Sequence, residues 1–257
     1  MPEFIHIKVK RQDSPDSASY WEEFKLPYKP RHNIVSVLMA LRENPVNTKG
    51  ERVAPVVYEA NCMEEVCGAC TMLINGRVRQ ACSALVDQLE QPIKLEPMTK
   101  FPVVRDLMVD RQTMFDALRR IKAWVQLDGS YDIHEHSPRI SPKDWEHNYD
   151  ISRCMTCGCC MEACPQVMPA KLNRPKPDKD FIGPAPLAQV ALFNNHPTGK
   201  FDKEDRLHSI MGPGGLTDCG NAQNCVAVCP KEIRITDAIA DLGRQTTSQA
   251  LKDVFLK

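Results

Sequence analysis

The chain has 257 residues, and its 33 Lys and Arg residues balance 33 Asp and Glu residues, so its formal net charge is zero. This length accommodates two domains with their own hydrophobic cores, and the balanced charge gives no support to nucleic-acid binding. Twelve cysteines without a recognisable signal peptide predict a reducing compartment in which thiolates bind metal, and no apolar stretch reaches the roughly 20 residues that cross a bilayer.

The first part of the chain is predicted to be mainly β. Residues Phe4–Val9 alternate from Ile5 onwards, and Tyr20–Leu26 forms a second, aromatic-rich strand after a polar turn, which predicts a hairpin. A helix follows, with Asn33 as its N-cap and Pro45 beyond its end. Its predicted core residues fall near helical spacing: Val35, Leu38, Met39 and Leu41. This order predicts a β-grasp fold.

The next segment carries the four-cysteine pattern of a plant-type 2Fe-2S cluster, C-x4-C-x2-C with a shortened last gap. The predicted ligands are Cys62, Cys67, Cys70 and Cys82. Gly68 allows the backbone to approach the cluster sulfides closely. Asn75-Gly76 favours a type I′ turn, so residues 71–74 and 78–82 are predicted to be strands that return the fourth ligand to the cluster. A Rieske site would need histidines, and this segment contains none.

A domain junction is predicted after a last short strand at Ile93 and Leu95, because Pro97 and Pro102 follow it. We predict a β-grasp 2Fe-2S ferredoxin domain over residues 1–105 and an all-α, bacterial-ferredoxin-like domain over residues 106–257, which makes the fold class α+β.

The second domain is predicted to consist mainly of helices. A stripe on one face of a helix from about Leu107 to Gln126 consists of Met114, Leu118, Ile121 and Val125. A loop with Pro138 and Pro142 leads to a cysteine run, where a helix is predicted to begin near Cys160. Further helices are predicted around Leu187–Phe193, after Pro184 and Pro186, and over Ile235–Leu242.

Two cysteine runs share the register C-x2-C-x2-C-x3-C-P of bacterial ferredoxins, in which the fourth cysteine of each run ligates the other cluster. The first run is complete, whereas Ala222 stands where the second cysteine of the second run should be. The register predicts a 4Fe-4S cluster on Cys154, Cys157, Cys160 and Cys229. It predicts a three-ligand, 3Fe-4S cluster on Cys164, Cys219 and Cys225.

Cys159 lies outside this register and is predicted to be a small buried core residue. In a competing interpretation it is an eighth ligand that restores a second 4Fe-4S cluster, but no rearrangement then keeps Cys160 bonded. Structural zinc is the other alternative, although zinc motifs are two separated C-x2-C pairs rather than a threefold run closed by C-P. The segment Gln166–Asp180 is predicted to be a solvated loop and is a candidate docking surface.

The order of these motifs resembles the iron-sulfur subunit of succinate dehydrogenase and fumarate reductase over almost the whole chain. The segments that carry the resemblance are CMEEVCGACTMLINGRVRQAC, FPVVRDLMVDR, CMTCGCCMEACP, FIGPAPLAQVALFNNHPTG and DCGNAQNCVAVCPKEI. The resemblance implies the same ligand sets for the three clusters. It also implies a non-catalytic subunit that passes electrons from the FAD of a flavoprotein subunit through 2Fe-2S, 4Fe-4S and 3Fe-4S to quinone at a membrane anchor.

That role implies succinate dehydrogenase (quinone) of the tricarboxylic acid cycle and the respiratory chain, with the chain peripheral on the cytoplasmic side of the bacterial cell membrane. A fumarate reductase running in reverse is the alternative within the family. No residue pattern indicates a catalytic acid or base for succinate. A soluble ferredoxin acting alone and a metal-stabilised scaffold without redox work are the alternatives from other classes.

One departure from the family pattern bears on the quinone. Ubiquinone-reducing members place a tryptophan shortly after the first C-P and a histidine just after the first cysteine of the second run. Here those places are Gln166–Pro169 and Gly220. The flanking segments are similar to those of menaquinone-linked enzymes of Gram-positive bacteria, whose anchor is a dihaem cytochrome b. The resemblance therefore implies menaquinone near the 3Fe-4S cluster.

Overall fold

A computed structural model describes residues 3–125, 139–172 and 179–255 of the chain. Its contacts divide the chain into two compact units. The first unit comprises Met1–Arg111, Met155–Glu162 and Pro169–Pro175. The second comprises Gln112–Cys154, Ala163–Met168 and Lys176–Lys257. The first cysteine run, residues 154–164, is thus divided between the units, whereas the second run, residues 219–229, belongs to the second unit.

A five-stranded mixed sheet and one ten-residue helix make up the main part of the first unit. Its strands are β1 (Phe4–Arg11), β2 (Tyr20–Pro27), β3 (Thr71–Ile74), β4 (Arg77–Gln80) and β5 (Ile93–Glu96), and its helix is α1 (Ile34–Glu43). The order is β2-β1-β5-β3-β4, in which β1 and β5 are parallel and the other neighbours antiparallel. Alternate residues of β1 and the inward face of α1 belong to one buried cluster. This arrangement confirms the β-grasp prediction.

Local signals set the ends of these elements. The Asn33 side chain accepts a hydrogen bond from the Ser36 amide at 2.8 Å, which confirms the predicted N-cap of α1. Met39 was predicted to be a core residue and this is wrong: it is 47% exposed, because Ile34 and Val37 complete the buried face instead. Asn75 and Gly76 both have positive φ, as a type I′ turn requires.

Two boundaries differ from the sequence predictions. Strand β4 ends at Gln80, so Cys82 follows the strand instead of closing it. The helix predicted over Leu107–Gln126 is shorter, because its first residues pair as β7 (Met108–Val109) with β6 (Val103–Arg105). The helix itself, α2, covers Gln112–Arg120.

A buried ion pair fixes the hairpin between β6 and β7 to the sheet. Arg11 of β1 donates from Nε to Asp106 at 2.9 Å, and both side chains are at most 1% exposed. The Asp106 carboxylate also accepts from the amides of Gln12 and Val57. Buried charges are tolerated when they are paired and hydrogen bonded in this way.

The second unit is built from helices. They are α2, α3 (Pro142–Ser152), α5 (Pro184–Asn194), α6 (Lys203–Met211), α7 (Asn224–Ala227) and α8 (Ile235–Phe255). A short helix, α4 (Cys159–Ala163), begins in the first cysteine run as predicted. Short 3-10 turns occupy Val86–Gln88, Gly199–Asp202 and Leu216–Asp218. The buried helix α5 packs against α6 and α8.

The sequence predicts a loop at Pro142, and this is wrong, because helix α3 begins there. Pro142 instead occupies the first turn, where a missing N–H costs nothing, and Ser141 caps the helix by accepting from the Asp144 amide. Pro138 and residues 173–178 of the predicted docking loop lie outside the described residues. Among the residues described, none of the helices combines the length and apolarity that a membrane crossing requires.

Candidate iron-sulfur cluster sites

Backbone amides surround the first two cysteines of the plant-type pattern. The Cys62 sulfur accepts from the amides of Glu64, Val66 and Cys67 at 3.3–3.5 Å, and the Cys67 sulfur accepts from its own loop, including Ala69. These amides, with that of Glu64 the strongest, lower the pKa of the Cys62 thiol to about 7. The loop therefore stabilises thiolate sulfur, which is the form that binds iron.

The other two cysteines of the pattern lie deeper in the same unit. Cys70 is 3% and Cys82 is 7% exposed. Burial raises the pKa of Cys70 to about 12. A hydrogen bond from the Cys82 amide opposes this effect and lowers the pKa. Such a thiol loses its proton when a metal binds it. The four sulfurs thus form two neighbouring pairs, Cys62 with Cys67 and Cys70 with Cys82.

Gly68, between these pairs, lies directly against the first bacterial-type run. Its φ is +72°, and a Cβ placed there would be 2.6 Å from both Cα and Cβ of Cys157. The structure therefore gives a second reason for a glycine in the ligand loop: besides the predicted approach to cluster sulfides, the backbone must make room for Cys157.

Cys159 is buried, as predicted, with 1% exposure. It accepts a hydrogen bond from Nε2 of Gln80 at 3.4 Å. A hydrogen bond from Cys159 lowers the pKa of Cys157 to about 7, with burial opposing this effect and the positive charge of Arg111 adding to it. The same hydrogen bond and burial raise the pKa of Cys159. Its absence from the ligand set remains a prediction.

Arg111 clamps the loop between Cys67 and Cys70. Its Nη1 donates to the Gly68 carbonyl and its Nη2 to the Ala69 carbonyl, each at 2.7 Å. Glu59 lies 4.0 Å from Nη2. The Nε atom is buried and has no hydrogen-bond partner within the described part of the chain.

Glu162, on α4, fastens the first run to the segment after β5. Its buried carboxylate accepts from the Thr99 amide at 2.9 Å, from the Thr99 hydroxyl at 2.6 Å and from the Lys100 amide at 2.9 Å. Sequence reasoning singled out neither Glu162 nor Arg111. Their partners are distant backbone groups, which no local pattern marks. The two residues do lie in segments that carry the family resemblance, CMTCGCCMEACP and FPVVRDLMVDR.

In the second unit, a single cavity is lined by the three cysteines predicted for the three-ligand cluster, Cys164, Cys219 and Cys225. Burial raises the pKa of Cys225, and the negative charges of the other two thiolates raise it further. Ala222 lines the same cavity, and no further cysteine does so among the described residues. The three predicted sulfurs are therefore brought together, and an apolar methyl group takes the place of a fourth.

Gly220 and Gln166 lie side by side in the wall of this cavity. A Cβ at Gly220 would be 2.6 Å from Nε2 of Gln166, so any larger residue there must displace that side chain. Asn224, at the start of α7, donates to the carbonyl of Ala163 at 3.0 Å and joins the second run to the end of the first.

The thiols predicted for the 4Fe-4S cluster are divided between the two units. Cys157 and Cys160 belong to the first unit, whereas Cys154 and Cys229 belong to the second. Each of the latter two follows a helix, and their amides donate to the carbonyls of Ile151 and Val226. This ligand set remains a prediction from the register.

The donor chemistry fits iron-sulfur clusters. Thiolate is the ligand that these clusters select. Amides aimed at the sulfurs of one loop and three thiols on one cavity are the surroundings that anionic clusters need.

Comparison with known proteins agrees with the two cluster-binding regions. Residues 6–116 match the family described as a 2Fe-2S iron-sulfur cluster binding domain, and residues 150–233 match a 4Fe-4S dicluster domain. The succinate dehydrogenase iron-sulfur subunit of Bacillus subtilis is 53% identical over 98% of this chain and 96% of its own length. The fumarate reductase iron-sulfur subunit of Wolinella succinogenes is 30% identical over 96% of this chain and 99% of its own.

Among solved structures, a chain of the Mycobacterium smegmatis Sdh1 complex in its apo form has a TM-score of 0.79. The match covers 100% of this chain and 99% of the other at 22% identity, so it supports the fold alone.

Proposed function

Because the chain belongs to the family of iron-sulfur subunits of succinate dehydrogenase and fumarate reductase, we propose that it carries electrons from a flavoprotein subunit to a quinone-reducing membrane anchor. The observation that carries this proposal is the pairing of a four-cysteine, amide-lined loop in the first unit with a three-cysteine cavity in the second. Stepwise electron transfer needs several one-electron centres, whereas a structural zinc site has four protein ligands rather than three thiolates.

The ligand sets follow the sequence register. Cys62, Cys67, Cys70 and Cys82 hold the 2Fe-2S cluster. Cys154, Cys157, Cys160 and Cys229 hold the 4Fe-4S cluster. Cys164, Cys219 and Cys225 hold the 3Fe-4S cluster. When bound, these clusters accept and donate single electrons, so that the electron pair of a two-electron donor can be passed on one electron at a time.

The protein supplies the ligands, excludes water from part of the site and donates hydrogen bonds to the sulfurs. The amides of residues 64–67 stabilise negative charge on Cys62, whereas Cys70 and Cys82 are shielded from water. Cluster potential depends on net charge, hydrogen bonds to sulfur and exposure. The two halves of the 2Fe-2S loop therefore offer different surroundings to the two irons.

Succinate oxidation is the proposed direction, since identity to a succinate dehydrogenase subunit is 53% against 30% for a fumarate reductase subunit. The partners are then a flavoprotein with FAD and a membrane anchor that holds this chain at the cytoplasmic side of the membrane. The anchor is proposed to be a dihaem cytochrome b.

Menaquinone is the proposed acceptor. The support is the pair Gly220 and Gln166 in the wall of the three-cysteine cavity, where ubiquinone-linked members have different residues. A complex that reduced ubiquinone analogues as fast as menaquinone analogues would contradict this choice.

The test of the electron-transfer role uses the complex purified from membranes. Iron and acid-labile sulfide are measured first, and electron paramagnetic resonance is then recorded in the oxidised sample and after addition of succinate. We expect a 3Fe-4S signal in the oxidised sample. Succinate should reduce the clusters, so that this signal falls and the signal of reduced 2Fe-2S appears. A Cys225→Ala variant should lose the 3Fe-4S signal and retain the 2Fe-2S signal. Zinc in place of iron, or clusters that succinate leaves oxidised, would refute the proposal.

A further inference from the structure

Arg111 occupies an unusual place between two sets of predicted ligands. Both of its terminal nitrogens donate to carbonyls of the loop between Cys67 and Cys70. Gly68, which accepts the first of these bonds, lies against Cys157. A Cβ placed on Gly68 would be 2.6 Å from both Cα and Cβ of Cys157. One guanidinium therefore holds a 2Fe-2S ligand loop against a ligand of the next cluster.

The charge of this guanidinium is poorly neutralised. Its side chain is only 15% exposed, and its ion-pair partner Glu59 is 4.0 Å away and itself 38% exposed. Its Nε is buried and lacks a hydrogen-bond partner among the residues described. Burial of a donor without a partner costs stability, so the surroundings of Arg111 do not fully compensate its guanidinium.

A fixed positive charge near thiolate-bound clusters has a definite electrostatic consequence. Reduction adds an electron to an already anionic cluster, and a nearby cation stabilises the reduced form more than the oxidised form. The loop that Arg111 binds lies against Cys157, a predicted ligand of the 4Fe-4S cluster, so the charge lies close to ligands of both clusters.

We propose that Arg111 is a positioning residue that holds the 2Fe-2S ligand loop against Cys157 and raises the reduction potentials of the 2Fe-2S and 4Fe-4S clusters. The inference rests on the proposed electron-transfer function. Under this proposal one residue adjusts the reduction potentials of two clusters that exchange electrons in consecutive steps. The predicted ligands of the 3Fe-4S cluster include no residue of the loop that Arg111 binds and do not include Cys157, so this cluster serves as an internal reference.

The test is a redox titration of the purified complex, followed by the resonance signals of all three clusters in the same samples. In Arg111→Gln, the ratio of reduced to oxidised 2Fe-2S and 4Fe-4S at their wild-type midpoints should fall about tenfold, the size expected for one partly buried charge a few ångströms away. The 3Fe-4S midpoint should not move. Arg111→Lys should keep the wild-type midpoints, because it retains the charge.

Two further variants make the result independent of folding defects. Glu59→Gln removes the partial counter-charge and should shift the same two midpoints upward, even if Arg111→Gln fails to assemble its 2Fe-2S cluster. Arg105→Gln is the matched control, because Arg105 also has a buried Nε without a partner among the described residues, whereas Arg111 is the arginine that binds the ligand loop. It should leave all three midpoints unchanged.

Unchanged midpoints in both Arg111→Gln and Glu59→Gln would overturn the proposal, as would an equal shift of all three clusters or a fall in Arg111→Lys as large as that in Arg111→Gln. Succinate reduction of the wild-type clusters tests the electron-transfer function separately, so the failure of one inference is distinguishable from the failure of the other.

Discussion

Ala222→Cys tests whether the missing ligand determines the type of the third cluster. Ala222 lines the same cavity as the three sulfurs of Cys164, Cys219 and Cys225, at the register position of a fourth ligand. The variant adds one sulfur to that wall. We expect the three-ligand 3Fe-4S cluster to become a four-ligand 4Fe-4S cluster.

The size of the effect follows from the ligand count. Iron should rise from about nine to about ten atoms per chain, because one more iron gains a ligand. Ala222 is exposed and is not among the residues with positive φ, so the substitution itself should change the free energy of unfolding by less than about 0.5 kcal/mol. The assay is iron analysis together with the resonance spectrum of the oxidised complex, from which the 3Fe-4S signal should disappear.

Ala227→Cys is the matched control. Ala227 ends α7 in the same run and is also exposed, but it does not line the cavity. It should leave the iron content and the oxidised signal unchanged. If Ala222→Cys kept a full 3Fe-4S signal with unchanged iron, or if Ala227→Cys lost it equally, the assignment of Ala222 as the missing ligand position would be wrong.

Three other predictions concern packing around the sites. Gly68→Ala should abolish or weaken 2Fe-2S assembly measured by visible absorption, whereas Gly76→Ala, at a similar positive φ but with nothing within 4 Å, should cost only about 1 kcal/mol and keep the cluster. Asp106→Asn should lower the free energy of unfolding by about 2 kcal/mol, because the buried Arg11 guanidinium then keeps only Glu22 as a carboxylate partner, whereas the exposed Glu23→Gln should not change the melting temperature measurably. Cys159→Ala should retain the iron content of the wild type; loss of one cluster's iron would make that cysteine a ligand.

Local signals explain which parts of the fold could be predicted. The cap at Asn33 and the turn at Asn75-Gly76 depend on neighbours within three residues, and both predictions are confirmed. The helix predicted from Leu107 fails at its start for the opposite reason. Leu107 is apolar and falls on the line of the helical stripe, but pairing of β7 with β6 and the contacts of Asp106 with β1 determine the backbone there.

The candidate sites divide in the same way. Ligand identity is encoded in cysteine spacing, so the chain itself carries the three predicted ligand sets. The residues that place the ligands are not encoded locally. Arg111 acts on carbonyls more than 40 positions away, and Glu162 acts on amides more than 60 positions away. A carbonyl or an amide is present at every residue, so no sequence pattern marks these partners.

The exposure of the three-cysteine cavity gives Ala222 a functional meaning beyond ligand count. Cys225 is buried, whereas Ala222, Gly220 and Asn221 in the same wall are exposed. The side of the cavity that lacks a thiol is therefore the side that is open in this chain. A cysteine there would place its side chain between the cluster and an approaching acceptor, whereas alanine adds only a methyl group. The proposed transfer of electrons to a quinone requires close approach, and for that proposal the absence of the cysteine and the exposure of its position support the same exit point.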